Sequence, residues 1–224
     1  MKTMSSVLIM TNLLFLYFSL KAQEKDYKDT NKLFFHDKYF FDSINPQADG
    51  TICGNEFIER RKRSATIRNS YYSKQLLSLK EPKLYQEYPH DVYRFTWFGY
   101  FGQRHNPFTI RIEDHNESVF VVSKFISRDK NKKESLFVND TIFLDNKTWI
   151  RFNTMIKDIN FWEIPSIEKS SIVVMDGSTW ILEGKKNYIY HAVFRINGKD
   201  KEIGDICLFL LRLSNLKIKN KELY

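Results

Sequence analysis

Two runs rich in β-branched and aromatic residues, Asp176 to Gly184 and Tyr188 to Arg195, are separated by Gly184-Lys185-Lys186-Asn187. This pair constrains the fold more than any other stretch of the chain, because two such runs flanking a turn signal read as a β-hairpin. With the loop centred on Lys185 and Lys186, Glu183 is expected opposite Tyr188 and Ile181 opposite Tyr190. The same register sets Trp180 opposite His191 and Asp176 opposite Arg195. Side chains alternate along a strand, so Asp176, Trp180, His191 and Arg195 should share one face, and Ile181, Glu183, Tyr188 and Tyr190 the other. Gly177 could introduce a bulge that moves Asp176 off its face.

Other strands precede this hairpin. Val92 to Phe98 and Phe108 to Glu113 alternate, Val119 to Ile126 and Leu136 to Leu144 are further strand candidates, and Asp114 to Glu117 reads as a hairpin loop. Strands this close in sequence favour antiparallel pairing, since parallel pairing needs a long crossover. Ser171 to Met175 is a further candidate leading into the hairpin. The clearest helix starts at Asp145 as its cap, repeats Trp149, Phe152, Ile156 and Ile159 at spacings of three and four, and stops before Pro165. A last helix, about Asp200 to Asn215, carries a wide apolar face of Ile203, Ile206, Cys207, Leu210, Leu211 and Leu213. Asn55 to Leu79 is a weaker helical stretch, either continuous or broken near Ser64 to Ser70, and Glu81-Pro82 ends it. The expectation is an α+β domain, residues 55–224, with an antiparallel sheet of five to seven strands and two main helices packed on one face.

The first 22 residues read as a cleavable secretory signal, with Lys2 ahead of an apolar run from Val7 to Leu20 and Ala22 before Gln23. Residues 23–54 read as an extended N-terminal arm whose aromatic clusters, Leu33 to Phe35 and Tyr39 to Phe41, cover part of the domain. An exported chain, periplasmic or extracellular, is the corresponding expectation. Its cysteines, Cys53 and Cys207, could then form a disulfide, or Cys207 could remain a buried thiol on the last helix.

The net charge of +8 comes from 35 basic and 27 acidic residues, which is mixed rather than concentrated. One tight basic cluster, Arg60 to Arg63, reads as a solvated helix face rather than a nucleic-acid surface, with weak attachment to an anionic envelope surface as the alternative. No phosphate-binding loop, dinucleotide glycine pattern or zinc-ligand spacing occurs, so no cofactor or metal is expected.

Chemistry concentrates on the hairpin. Trp180 offers area, His191 and Asp176 can exchange protons, and Arg195 can hold an anion with two N–H groups, so these four are the candidate ligand-binding residues. The competing structural reading has Trp180 in the core and Asp176 paired with Arg195. A non-enzymatic module binding a ligand or protein partner is the leading expectation, and a hydrolase using a carboxylate and His191 is the alternative. Glu183 projects away from Asp176, which disfavours a paired-carboxylate mechanism. Ser178 lacks the glycine-flanked elbow of a nucleophile. His105 in Arg104 to Phe108 is a further loop residue of interest.

Asn160-Phe161-Trp162-Glu163-Ile164-Pro165, Asp176-Gly177-Ser178-Thr179-Trp180-Ile181-Leu182-Glu183-Gly184, Tyr190-His191 and Arg195 together resemble a pattern found in uncharacterised proteins exported by Bacteroidetes-type bacteria. The resemblance spans roughly the last two fifths of the chain. It implies a bacterial, exported, small α+β protein, and it implies no catalytic residues, because that family has no established activity.

Overall fold

A computed structural model of the chain describes residues 33–36, 39, 55–86, 88–99, 106–116, 118–128, 135–168, 177–218 and 222–223. The segment expected to be a signal, the Ser171 to Met175 strand, Cys53, His105 and Asp176 lie outside the described residues.

Six antiparallel strands form one sheet. They are β1 (Asp91–Phe98), β2 (Phe108–Asp114), β3 (Val119–Arg128), β4 (Ser135–Leu144), β5 (Thr179–Lys186) and β6 (Ile189–Ile196). Their order across the sheet is β4-β3-β2-β1-β5-β6, so the C-terminal hairpin joins the meander through β1 and β5. Among the described residues three α-helices accompany it: α1 (Asn55–Ser78), α2 (Asn146–Asp158) and α3 (Gly204–Leu213). None of the described helices is long and apolar enough to cross a membrane. The expected α+β class, strand number and pair of helices on one face are all present.

That face carries Tyr93, Phe95 and Trp97 of β1, Phe108, Ile110 and Ile112 of β2, and Trp180 and Leu182 of β5. Beneath α2 it meets Trp149, Phe152 and Ile156, and beneath α3 it meets Ile206, Cys207 and Leu210. Large apolar side chains buried in this way contribute about 1.5–3 kcal/mol each. Asp145 caps α2 as expected, accepting from the Thr148 amide at 2.7 Å. The last helix is shorter than expected, because Gly198–Asp200 forms a separate 3-10 turn before it. Cys207 is a free, buried thiol, so the disulfide alternative does not hold.

The opposite face is covered too. Helix α1 is one continuous helix, and its inward stripe is short and partly polar: Ala65, Asn69, Ser73 and Leu76. Asn69 donates to the Phe35 carbonyl at 3.0 Å, and Ser73 accepts from the Phe34 amide at 2.8 Å. Phe34, Phe35 and Tyr39 thereby pack with Phe98, Ile181, Ala192 and Phe194. Small polar side chains let the two segments approach closely while satisfying backbone groups that would otherwise be buried unpaired.

The end of α1 determines what covers the rest of this face. Lys80 takes a left-handed φ of 52°, its amide bonds to the Leu77 carbonyl at 3.0 Å, and the Glu81 amide bonds to the Leu76 carbonyl at 3.0 Å. This is a Schellman ending. It turns the chain sharply off the helix and lays residues 81–86 across the sheet, with Glu81 and Leu84 buried.

Candidate functional site

The C-terminal hairpin forms, but its register differs from the one expected. Trp180 pairs with Arg195, Gly184 with His191 and Lys186 with Ile189, so the turn is Asn187-Tyr188 rather than Lys185-Lys186. Asn187 supplies the left-handed conformation, with φ 53°. Gly184 lies inside β5 for a different reason. A Cβ there would stand 2.7 Å from the Phe161 ring and 2.8 Å from the Tyr93 ring, so the strand can pass under those rings only as glycine. The slip is two residues on each strand, which preserves alternation: Trp180, His191 and Arg195 still share a face, and Glu183 and Tyr190 share the other. Trp180 and His191 are nevertheless not neighbours across the hairpin.

Each described residue of that expected wall is engaged. Trp180 is fully buried, packs against Phe95 with ring centroids 5.0 Å apart, and donates from Nε1 to Ser178 Oγ at 2.9 Å. Ser178 in turn donates to the Leu223 carbonyl at 2.8 Å. Arg195 is 3 % exposed and clamps two loops, donating to Glu202 Oε1 at 2.5 Å and to the Pro165 carbonyl at 3.0 Å. The hydrogen bond from Arg195 holds the Glu202 carboxyl below its ordinary range. His191 places Nε2 2.8 Å from the Ile164 carbonyl, a geometry in which that nitrogen carries the proton, and its ring stands edge-on to Phe161. Trp180 and Arg195 lie in the packed layer. The basic run on α1 is exposed at Arg60, Lys62 and Arg63, with Lys62 paired to Glu59 at 3.0 Å.

The other face of the sheet contains the densest cluster of ion pairs among the described residues. Arg94 of β1 donates from Nε and Nη2 to the two carboxylate oxygens of Glu183 at 2.7 and 2.8 Å. Its third nitrogen reaches Glu81 at 3.1 Å and the Pro82 carbonyl at 2.7 Å. Glu81 also accepts from Arg111 at 2.6 Å, Lys124 at 3.1 Å and Thr109 at 3.2 Å. Tyr190 donates its hydroxyl to Glu183 at 2.8 Å. Arg111 pairs additionally with Glu113, whose second oxygen meets His115 Nε2 at 2.8 Å.

The cations Arg94, Arg111 and Lys124 thus balance the anions Glu81, Glu183 and Glu113. Burial alone would raise the Glu81 carboxyl, but the charges of Arg111, Arg94 and Lys124 outweigh it and hold the group at about 2. Glu113 is lowered in the same way, burial being overcome mainly by Arg111. Tyr190 is pushed well above its ordinary value by burial and by the Glu183 charge. Saturated pairs of this kind hold geometry. They hold the Glu81 and Glu113 carboxylates in their charged form.

The polar layer opens at one end, where β1 begins and β2 ends. A cleft of about 780 Å³ is lined there by Tyr88, His90, Asp91, Asp114, Asn116, Lys185 and Tyr188 among others. The His90 and His115 rings stack face to face, centroids 3.5 Å apart and 17° from parallel. Asp91 Oδ1 accepts from the Asn187 amide at 3.1 Å and so ties the β5–β6 turn to the start of β1. Asp114 Oδ1 accepts from the Asn116 amide at 2.9 Å. The Tyr88 hydroxyl meets Glu113, and burial raises its pKa well beyond the usual phenol range. Lys185 is 7 % exposed and donates to the Gln86 carbonyl at 2.8 Å. No group of three or more metal-capable side chains occurs among the described residues.

Sequence reasoning passed over His90, His115 and Lys185, although a signal for the first two was present. The β1–β2 register pairs Asp91 with Asp114, and carrying it one step outward brings 90 opposite 115. Lys185 was read as a turn residue, and only the true turn position returns it to the strand.

No protein-family model matches the chain, and no curated protein is similar enough to it to lend it an activity.

Proposed function

We propose that this chain is an exported, non-enzymatic binding module that holds a small zwitterionic molecule in the cleft beside Lys185. The observation that carries the reading is the state of that lysine. An ammonium has three N–H donors, and among the described residues the acceptor that Lys185 Nζ meets is the Gln86 carbonyl. Every carboxylate of the neighbouring buried cluster is already matched by Arg94, Arg111 or Lys124. A ligand carboxylate supplies the acceptors that Lys185 lacks, because a buried charge is costly until it is paired. Asp91 and Asp114 line the same cleft and suit a ligand ammonium, while the His90 and His115 stack gives a flat wall. The cleft lies within the size range of small-molecule sites, about 300–1,000 Å³. The secretory character of the first 22 residues supports export.

A panel of free amino acids, the amines that lack their carboxylate, and the N-acetylated acids that lack their ammonium would be titrated into the isotope-labelled protein. At least one amino acid should give saturable shifts at His90, His115 and Asn187, and both analogue series should bind at least about tenfold more weakly, the loss of one charge-assisted contact. Lys185→Met should remove the preference for the carboxylate. Equal binding of all three series, or no saturable shift at the cleft, would overturn the reading.

A further inference from the structure

A second cavity, of about 480 Å³, lies on the opposite face of the same end of the sheet. Consecutive residues of β5 divide between the two: Lys185 lines the polar cleft and Lys186 this one, as period-two alternation requires. Its floor is aromatic, built from Tyr93 of β1 and Phe161 and Trp162 of the 3-10 turn after α2 (Phe161–Glu163). Trp162 stands edge-on to Phe161 at 5.2 Å and tilted against Tyr93 at 6.0 Å. Polar side chains ring the opening, among them Asn153, Lys157, Glu163 and Lys186.

Two polar atoms in this floor have no hydrogen-bond partner among the described residues. Tyr93 is 1 % exposed as a residue and lines the cavity, its hydroxyl has no hydrogen-bond partner among the described residues, and that oxygen is not sealed off: the one fully buried side-chain polar atom without a partner there is Thr96 Oγ1. A hydroxyl that is unpartnered but open to the cavity is free to bond to a guest. Trp162 is half-buried, and its indole N–H likewise has no partner among the described residues.

We infer that this cavity is a saccharide site that stacks one pyranose ring on Trp162 and accepts a hydroxyl of that ring at Tyr93 Oη. A pyranose has an apolar C–H face and a rim of hydroxyls, each both donor and acceptor. The aromatic floor meets the first, and the mixed rim of amide, carboxylate and ammonium groups meets the second. A purely aromatic guest would cover the floor but shut the Tyr93 hydroxyl and the indole N–H away from water without partners, which is unfavourable. The geometry therefore selects against it.

The other three tryptophans, Trp97, Trp149 and Trp180, are buried, so a change in emission on binding reports on Trp162. The full chain would be titrated with methyl pyranosides of the glucose, galactose, mannose and N-acetylglucosamine series, with phenol as the aromatic comparison. Emission and saturation-transfer NMR would follow binding. At least one pyranoside should give a saturable blue shift with an affinity of about millimolar or tighter. Tyr93→Phe should keep the fold and weaken binding about three- to tenfold, as expected for one lost hydrogen bond. Trp162→Ala should abolish it, and Lys185→Met should leave it unchanged. If Trp162→Ala fails to fold, Tyr93→Phe alone decides. The inference is overturned if no pyranoside saturates, if Tyr93→Phe binds like the parent, or if phenol binds as tightly as the best pyranoside.

Discussion

Glu81 shows how a single residue can fix the chemistry of a whole layer. Its carboxylate accepts from two guanidinium groups and one ammonium while fully buried, and its pKa falls from 4.5 to about 2 although burial pushes the other way. A carboxyl depressed in the folded state stabilises the fold above its unfolded pKa, and that contribution is lost as pH falls through the folded one. For Glu81 the window is therefore pH 4.5 down to about 2, and the contribution is about 3 kcal/mol. Denaturant titrations at a series of pH values should show the parent protein losing more stability across this window than Glu81→Gln, whose curve should be flatter. Parallel curves would show that Glu81 titrates unperturbed. Little of this was legible in the sequence. Alternation in β2 correctly separates Thr109, Arg111 and Glu113 from Phe108, Ile110 and Ile112. It cannot show that the polar row is covered, because the partners lie far away in sequence: Arg94 and Glu183 are 89 residues apart.

At the scale of elements, local rules succeeded where one strong signal stood alone and failed where one residue type serves two purposes. Asp145 as a cap and the Trp149, Phe152 and Ile156 stripe define α2 without ambiguity. In the hairpin, Gly184 and Asn187 both carry turn propensity, and together they predict a loop centred on Lys185 and Lys186. Asn187 holds the turn, and Gly184 serves close packing beneath Tyr93 and Phe161. Helix α1 was hard to read because its buried stripe includes Asn69 and Ser73, which face a separate segment rather than an apolar core. Gly184→Ala tests the packing role. It should destabilise by about 1–3 kcal/mol, the range for overpacking a filled site, and should disturb emission from Trp162, which packs on the same two rings. Urea unfolding checks the first expectation and fluorescence the second. A neutral effect on both would mean that the rings shift freely.

For the molecule as a whole, the fold class was legible because hydrophobic periodicity is a property of every element, and the elements agree with one another. The candidate site was less so. Trp180, His191 and Arg195 share a face as alternation demands, but α3 and the Pro165-Ser166 loop occupy that face, so chemically capable side chains serve packing and loop anchoring. What distinguishes this sheet is that both faces are covered: one by apolar side chains under α2 and α3, the other by a neutral network of buried charges under α1 and residues 81–86. The polar cleft and the aromatic cavity are the places where these two covers end. Breaking one partner of a buried ion pair strands the other, whereas an exposed pair contributes little. The most direct test is a double-mutant cycle on Arg94 and Glu183 using Arg94→Met and Glu183→Gln, read by equilibrium unfolding. Each single variant should lose about 3–5 kcal/mol, and the pair should recover a coupling of about 2 kcal/mol or more. Single losses below about 1 kcal/mol with no coupling, the behaviour of a solvent-exposed pair, would contradict a sealed ionic layer on this side of the sheet.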